Sequence, residues 1–307
     1  RGRYFGLRNR TCGAVALVAA IVGALILDAT RPINLFAGFA ILFVISFVFR
    51  SIGGILFMRK YEPHFTPDEG YYFSFGQFVR RMWYNNFGKF TIYVTALGFA
   101  VNVASPFITV YMLKQLNFSY VQFTLVTMGS AITGLLTPPA WGKLADKYGS
   151  LNTIRICGVI VALIPLLWAL SPLILPFGAY VLIPFLFIVD SISGFAWAGH
   201  NMAVNGFTYD AVTRSRVSLC IAYMNVLNGF GVFLGAALGG LLTSYDLPLG
   251  AFIFVFVLSG ILRLAASLLL ARRVREVREV RPFDRQIARE KILAHTPGDM
   301  LRYLDLK

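Results

Sequence analysis

Stretches of about 20 apolar residues recur along this 307-residue chain, and they constrain its fold more than any other feature. A run of that length matches the thickness of the hydrocarbon core of a bilayer. The runs are continuous rather than alternating, which favours helices, since backbone groups in lipid must bond within their own segment. We therefore predict an all-α membrane protein with eight transmembrane helices, at 11–28, 33–56, 90–113, 118–139, 153–172, 176–203, 217–243 and 250–271.

The basic residues give this arrangement an orientation. Of the 28 Lys and Arg residues, 24 lie at the start, in the gaps after the second, fourth and sixth segments, or in the tail. Cytoplasmic loops carry such an excess of Lys and Arg. We expect both ends of the chain in the cytoplasm and the protein in the plasma membrane. The same pattern accounts for the net charge of +14, so nucleic acid is not an expected partner.

Several function classes lack their sequence signals. Cys12, Cys157 and Cys220 stand singly, without the spacing of a disulfide framework or a metal site. No HExxH, GxSxG or P-loop pattern is present. We predict no enzyme activity, no metal and no cofactor.

Two polar regions interrupt the apolar pattern. Residues 58–89 contain prolines and mixed polar residues and are predicted to be a cytoplasmic linker between two bundles. The basic and aromatic stretch "FGQFVRRMWYNNFGKF" at its end is predicted to lie at the membrane interface. The tail, 272–307, alternates in charge and is predicted to form a solvated or interfacial helix.

A weak internal repeat has an offset of 213 residues. "RGRYFGLRNR" at the start resembles "RSRVSLCIAY" at 214, and the same offset places Arg50 on Arg263. The first two helices would then correspond to the last two, in the same orientation. This indicates a parallel duplication in which 90–271 form one six-helix half and 1–57 form the last two helices of the other.

The fourth and fifth segments are joined by a recognisable motif. Gly142, Asp146, Lys147 and Gly149 match the pattern GxxxD[RK]xG, which resembles the loop signature of the major facilitator superfamily. The resemblance implies two six-helix halves, and the chain would be a C-terminal fragment holding family helices five to twelve, without the first four. Ser150 and Leu151 stand where the family pattern usually continues with basic residues.

The motif also has a physical interpretation of its own. Its glycines permit a tight turn and a close approach of helices. Asp146 can cap a helix or pair with an arginine, either near Arg1 and Arg3 or at Arg214, which would make a gating latch. The alternative is a solvated loop in which the aspartate is only a turn residue.

Polar residues inside the apolar segments are the candidates for substrate binding or proton coupling. Asp190 lies near mid-bilayer, where a carboxyl group is costly, usually faces a cavity or a partner, and can carry a proton. Its structural alternative is a paired carboxylate, for example with Arg263. The other candidates, for which helix packing is the alternative, are Asn102, His200, Asn201, Asn225 and Asn228.

Two further features concern packing and the membrane surface. Arg50 and Arg263 are embedded in helices and are expected to extend towards the inner headgroups, with gating or anion binding as the alternative. Gly231, Gly235 and Gly239 are spaced by four and predict a close helix contact.

The sequence therefore predicts a secondary transporter that moves a small solute by alternating access, with proton coupling through Asp190. A transport-inactive receptor or assembly scaffold of the same fold is the alternative. Its expected partners are a small-molecule substrate, the lipid bilayer and protons, and we expect a monomer.

Overall fold

The computed structural model describes residues 2–32, 34–61, 72–213, 215–245 and 250–278, without the side chains of residues 2–10 and 35. The secondary structure of this part of the chain is helical. The α-helices are α1 (Gly2–Thr30), α2 (Leu35–Met58), α3 (Phe75–Arg81), α4 (Asn86–Val110), α5 (Tyr120–Leu136), α6 (Pro138–Tyr148), α7 (Ser150–Trp168), α8 (Ser171–Ile174), α9 (Ala179–Ala211), α10 (Val217–Thr243) and α11 (Ala251–Ala265). Short π-helical turns at Tyr111–Gln115 and Ala266–Leu270, and 3₁₀ turns at Leu175–Phe177 and Ala271–Arg273, extend some of them.

Seven helical segments in the described ranges are long and apolar enough to cross a membrane, and an eighth is added if α5 and α6 form one bent span. This confirms the predicted all-α membrane fold. The fourth predicted segment, 118–139, corresponds to α5, after which the chain bends by 49° into α6. Pro138 and Pro139 explain the bend, since neither has a backbone N–H to continue the helical hydrogen bonds. The sixth segment continues to Ala211, eight residues beyond its predicted end at 203.

Local sequence sets the beginnings of several helices. Ser74 with Gln77 and Ser119 with Gln122 form capping boxes at α3 and α5, which satisfy backbone donors that a helix start leaves open. Gly149 has a φ of 93° and separates α6 from α7 by a single residue. That backbone conformation is accessible to glycine and strained for other residues.

The helices α4, α5, α7, α9, α10 and α11 pack on one another around two buried apolar clusters. The first cluster includes Trp168 and Phe256, and the second, at the end where α4 begins, includes Phe90 and Phe207. Helix α1 packs against α2 and along α5, while the described side chains of α2 are almost all exposed and Gly38 is buried against α1. The polar side chains between the two clusters therefore lie inside a helical bundle.

The glycine stripe of α10 makes the predicted close contact. A Cβ atom at Gly231, Gly235 or Gly239 would overlap a backbone carbonyl oxygen of α4, that of Thr95, Phe99 or Val103 respectively. Small residues allow this approach of two backbones within a membrane. The prediction from the spacing of four is confirmed.

Candidate functional site

Asp190 lies in the interface between α5 and α9. Its Oδ2 accepts a hydrogen bond of 3.1 Å from the backbone N–H of Ser130, and the residue is half-buried. The two helices approach so closely here that a Cβ at Gly194 would overlap the backbone of Ser130. Thr133 adds a hydrogen bond of 2.8 Å to the carbonyl of Ser191. The carboxyl group is thus held against α5 by the backbone N–H of Ser130, with the Ser130 side chain beside it.

Arg263 does not extend to the headgroups, and that expectation was wrong. Its exposed fraction is only 3%, and the guanidinium donates to the Ser259 hydroxyl at 3.0 Å and to the carbonyls of Val161 and Val101, each at 3.2 Å. It does not pair with Asp190. Arg50, by contrast, is exposed on α2.

A proline explains why the guanidinium is held in the bundle. Pro165 lies inside α7 and has no N–H, so the carbonyl of Val161, four residues earlier, lacks its usual helical donor. In lipid that carbonyl must find another partner, and Arg263 supplies it. Ser259, which accepts from Arg263, donates in turn to the carbonyl of Ala100 at 2.6 Å. Arg263 therefore joins α11 to α7 and α4.

His200 points into the bundle. It is buried, and its Nε2 lies 3.0 Å from the hydroxyl oxygen of Tyr93 on α4. The Trp197 ring packs edge-on against it, with 5.3 Å between the centroids. The next residue, Asn201, is exposed, and its side chain lies close enough to His200 to interact with it by a hydrogen bond.

Two of the candidate amides converge on the contact between α4 and α10. Asn102 donates through Nδ2 to the carbonyl of Gly98 at 2.9 Å, and a Cβ at Gly98 would overlap Oδ1 of Asn228. Both asparagines are half-buried, and Asn225 is exposed on the same helix as Asn228. The absence of a side chain at Gly98 leaves room for the Asn228 amide against α4.

The motif residues lie at the junction of α6 and α7. Gly142 is inside α6, where an added Cβ would be at ordinary contact distance from Met202. The turn between α6 and α7 is made at Gly149 instead. Asp146 pairs with Arg278 of the tail at 3.3 Å, and Lys147 lies 5.1 Å from the Tyr148 ring. Both side chains of the ion pair are more than half exposed, so its contribution to stability is small. The expected partners, Arg1, Arg3 and Arg214, have side chains outside the described residues.

The start of the tail crosses this junction as an extended segment. Glu276 accepts a hydrogen bond of 2.7 Å from the N–H of Leu151, in the first turn of α7, where a carboxylate is favoured. Arg155 donates to the carbonyls of Ala271 and Val274, and Asn86 exchanges hydrogen bonds with the backbone of Arg275. Residues 274–278 were predicted to begin a helix and do not, because α4, α6 and α7 hold this backbone extended. The rest of the predicted tail helix lies outside the described residues.

At the other end of α5, Asp28 of α1 caps the helix. Its two carboxylate oxygens accept from the N–H groups of Tyr120 and Val121, at 2.8 and 3.0 Å. These donors have no partner within α5, since they belong to its first turn. Phe39 of α2 packs edge-on against the Tyr120 ring. The first two helices are therefore fixed to α5 by a charged contact as well as by apolar packing.

Replacing Asp28 by alanine should loosen this contact. A lost capping side chain costs about 1 kcal/mol, so we expect the amides of Tyr120 and Val121 to exchange with deuterium about fivefold faster. Asp28→Asn, which keeps one acceptor oxygen, should have a smaller effect. Unchanged exchange at both amides in Asp28→Ala would contradict the capping role.

The sequence did not point to four of these contacts. Asp28 caps a helix that begins 92 residues later in the chain, and the Tyr93 hydroxyl meets a histidine 107 residues away. The Ser130 and Leu151 partners are backbone groups, which carry no residue-specific signal. One signal could have led to Asp28, because it is an acidic residue at the end of an apolar segment.

Seven or eight apolar helices that hold a carboxyl group, a histidine and two half-buried amides in the described ranges define a polytopic membrane protein. The chain belongs to the major facilitator superfamily, whose family model matches residues 1–205 and 90–298. No match was found among curated proteins or solved structures. The resemblance predicted from the motif is confirmed, and the protein is a membrane transporter of the major facilitator type.

Proposed function

We propose that this protein is a secondary active transporter that moves a small solute by alternating access and couples the movement to protons at Asp190. The two moving parts are a bundle that contains 1–57 and the six-helix bundle of 90–271, joined by the linker 58–89. Residues 90–205 fall within both family matches, which supports a duplicated architecture. Both ends of the chain lie in the cytoplasm, as the distribution of Lys and Arg indicates.

The position of the Asp190 carboxyl group inside the bundle is the main support for the coupling proposal. A carboxyl group in the apolar middle of a bundle is costly, and here the partner is a backbone N–H rather than a cation. A fixed arginine partner would hold the group ionised, whereas the uncharged groups of Ser130 leave it free to take up and release a proton. Protonation or deprotonation of Asp190 would change the interaction between α5 and α9.

The amides at Gly98 are the proposed solute contacts. Asn102 and Asn228 are half-buried on neighbouring helices, and each offers both a donor and an acceptor. Substrate sites in this class of transporter lie near the bilayer midplane between the halves. Asn225 and Asn201, which are exposed, extend the polar lining that we propose for the solute path.

A flux assay tests the transport proposal. The full-length protein is reconstituted in vesicles, and uptake and efflux of a panel of small solutes are measured with and without an imposed pH gradient. We expect at least one solute to move faster than in protein-free vesicles, and to accumulate when the gradient is present. Flux that never exceeds the protein-free background in either direction would overturn the proposal in favour of a receptor or scaffold.

A further inference from the structure

A groove of about 400 Å³ runs along the outer surface between α4 and α10. Phe230 and Leu234 on its α10 side are 61% and 54% exposed. Apart from Thr95, the rest of its lining is apolar and includes Trp83, Ile92, Ala96 and Phe99. Both helices are long and apolar enough to span a membrane, so this groove lies at the depth of the hydrocarbon region.

Positive charge lies at one end of the groove. Trp83 and Ile92 also line a smaller cavity of about 60 Å³, whose other walls are Lys89, Leu270 and Arg273. No acidic residue is among the described lining of either cavity. In the described part of the chain, neither Lys89 nor Arg273 has an ion-pair partner. The two cavities therefore join an apolar channel to a pair of uncompensated cations.

The spacing along α4 fits one leaflet of a membrane. Lys89 and Phe99 are ten residues apart on a helix, which corresponds to about 15 Å of rise. Half of a hydrocarbon core of about 30 Å is the same distance. Trp83, 62% exposed, lies at the basic end, and tryptophan is enriched where the hydrocarbon meets the headgroups. A molecule that fits both parts has a charged head and an apolar tail about as long as one leaflet is deep.

We propose that this groove is a binding site for an anionic phospholipid of the surrounding leaflet. The phosphate-bearing headgroup lies between Lys89 and Arg273 beside the Trp83 indole, and one acyl chain lies in the groove over Ala96 and Phe99. Basic pockets between transmembrane helices favour such headgroups because the lipid brings a net negative charge. A zwitterionic lipid fits the apolar part equally well but does not compensate the two cations.

Quenching of tryptophan fluorescence by brominated lipids tests this site. The full-length protein is placed in phosphatidylcholine vesicles with increasing fractions of brominated phosphatidylglycerol or brominated phosphatidylcholine. The signal of Trp83 is taken as the part of the quenching that the Trp83→Phe variant loses. We expect the anionic lipid to associate at least about fivefold more strongly, since one basic residue near an anionic surface contributes about that factor.

The variants separate the headgroup from the chain. Lys89→Gln with Arg273→Gln should remove the preference for the anionic lipid, and each single change should remove part of it. Arg59→Gln with Lys60→Gln removes the same charge at the end of α2, away from the groove, and should leave the preference intact. Ala96→Phe fills the groove and should weaken quenching by both lipids.

Three outcomes would overturn the proposal. The first is equal quenching by the two brominated lipids in the unaltered protein. The second is a preference that persists at full strength without Lys89 and Arg273. The third is quenching that Ala96→Phe leaves unchanged, which would place the acyl chain elsewhere.

Discussion

Asp190→Asn is expected to abolish solute accumulation driven by a pH gradient. Asparagine has nearly the same shape, and its amide oxygen can still accept the hydrogen bond from Ser130, so the seam between α5 and α9 should stay packed. The variant side chain cannot take up or release a proton. We expect accumulation of the solute identified in the flux panel to fall at least about tenfold, because a buried carboxyl group in a transporter marks a proton path.

Two matched variants make this test specific. Asp210 is an exposed carboxylate near the end of the same helix, and Asp210→Asn should leave accumulation unchanged. Asp190→Glu keeps the titrating group and should retain part of the coupled flux. If Asp190→Asn accumulates solute as well as the unaltered protein does, coupling at this residue is wrong, although transport itself would stand.

Arg263→Met is expected to destabilise the bundle more than any other single change proposed for it. The substitution keeps an apolar chain in place but leaves the carbonyl of Val161 and the hydroxyl of Ser259 without their donor. A lost hydrogen bond to a charged group costs about 1.5–3 kcal/mol. We expect the free energy of unfolding, measured by denaturant titration in detergent micelles, to fall by about 2–3 kcal/mol.

A double-mutant cycle with Pro165 tests the physical reason. Alanine at this position restores an N–H that can donate to the Val161 carbonyl within α7. The cost of Arg263→Met should therefore be smaller in the Pro165→Ala background, by roughly 1 kcal/mol. Equal costs in the two backgrounds would show that the guanidinium does not act through this carbonyl.

The number and place of the membrane helices follow from the sequence because they depend on local composition. Lipid requires about 20 apolar residues for each crossing, and that requirement is visible in any window of the chain. The glycine stripe of α10 was equally visible, since its spacing alone defines one face of a helix. The bend at Pro138 needed one more step, the loss of the backbone N–H at proline, which interrupts the helical hydrogen bonds.

Side-chain partners were much less predictable, and Arg263 shows why. An arginine near the end of an apolar segment usually extends to the surface, and that default was the natural expectation. Whether it turns inward depends on an open carbonyl on another helix, 102 residues earlier in the chain. The sequence shows that Pro165 would leave a carbonyl of its helix without a donor, but it does not say which neighbour supplies one.

The tail illustrates the same limit. Its alternating charges indicated a solvated helix, yet Glu276 and Arg278 meet a helix start and the motif aspartate more than 120 residues earlier. A carboxylate and a guanidinium are compatible both with a solvent-exposed helix and with an extended segment that contacts other helices. Tertiary contacts decide between the two, and a local sequence pattern does not reveal them.

The contact between α4 and α10 also restricts how this transporter can move. Three glycines bring the two backbones together without an intervening layer of side chains, so the two helices share an extended close contact. We expect a rearrangement to move the pair as one unit, together with Asn102 and Asn228. Opening would then be produced at looser seams, and a spin-label distance across this pair should remain constant while distances from α10 to α1 change.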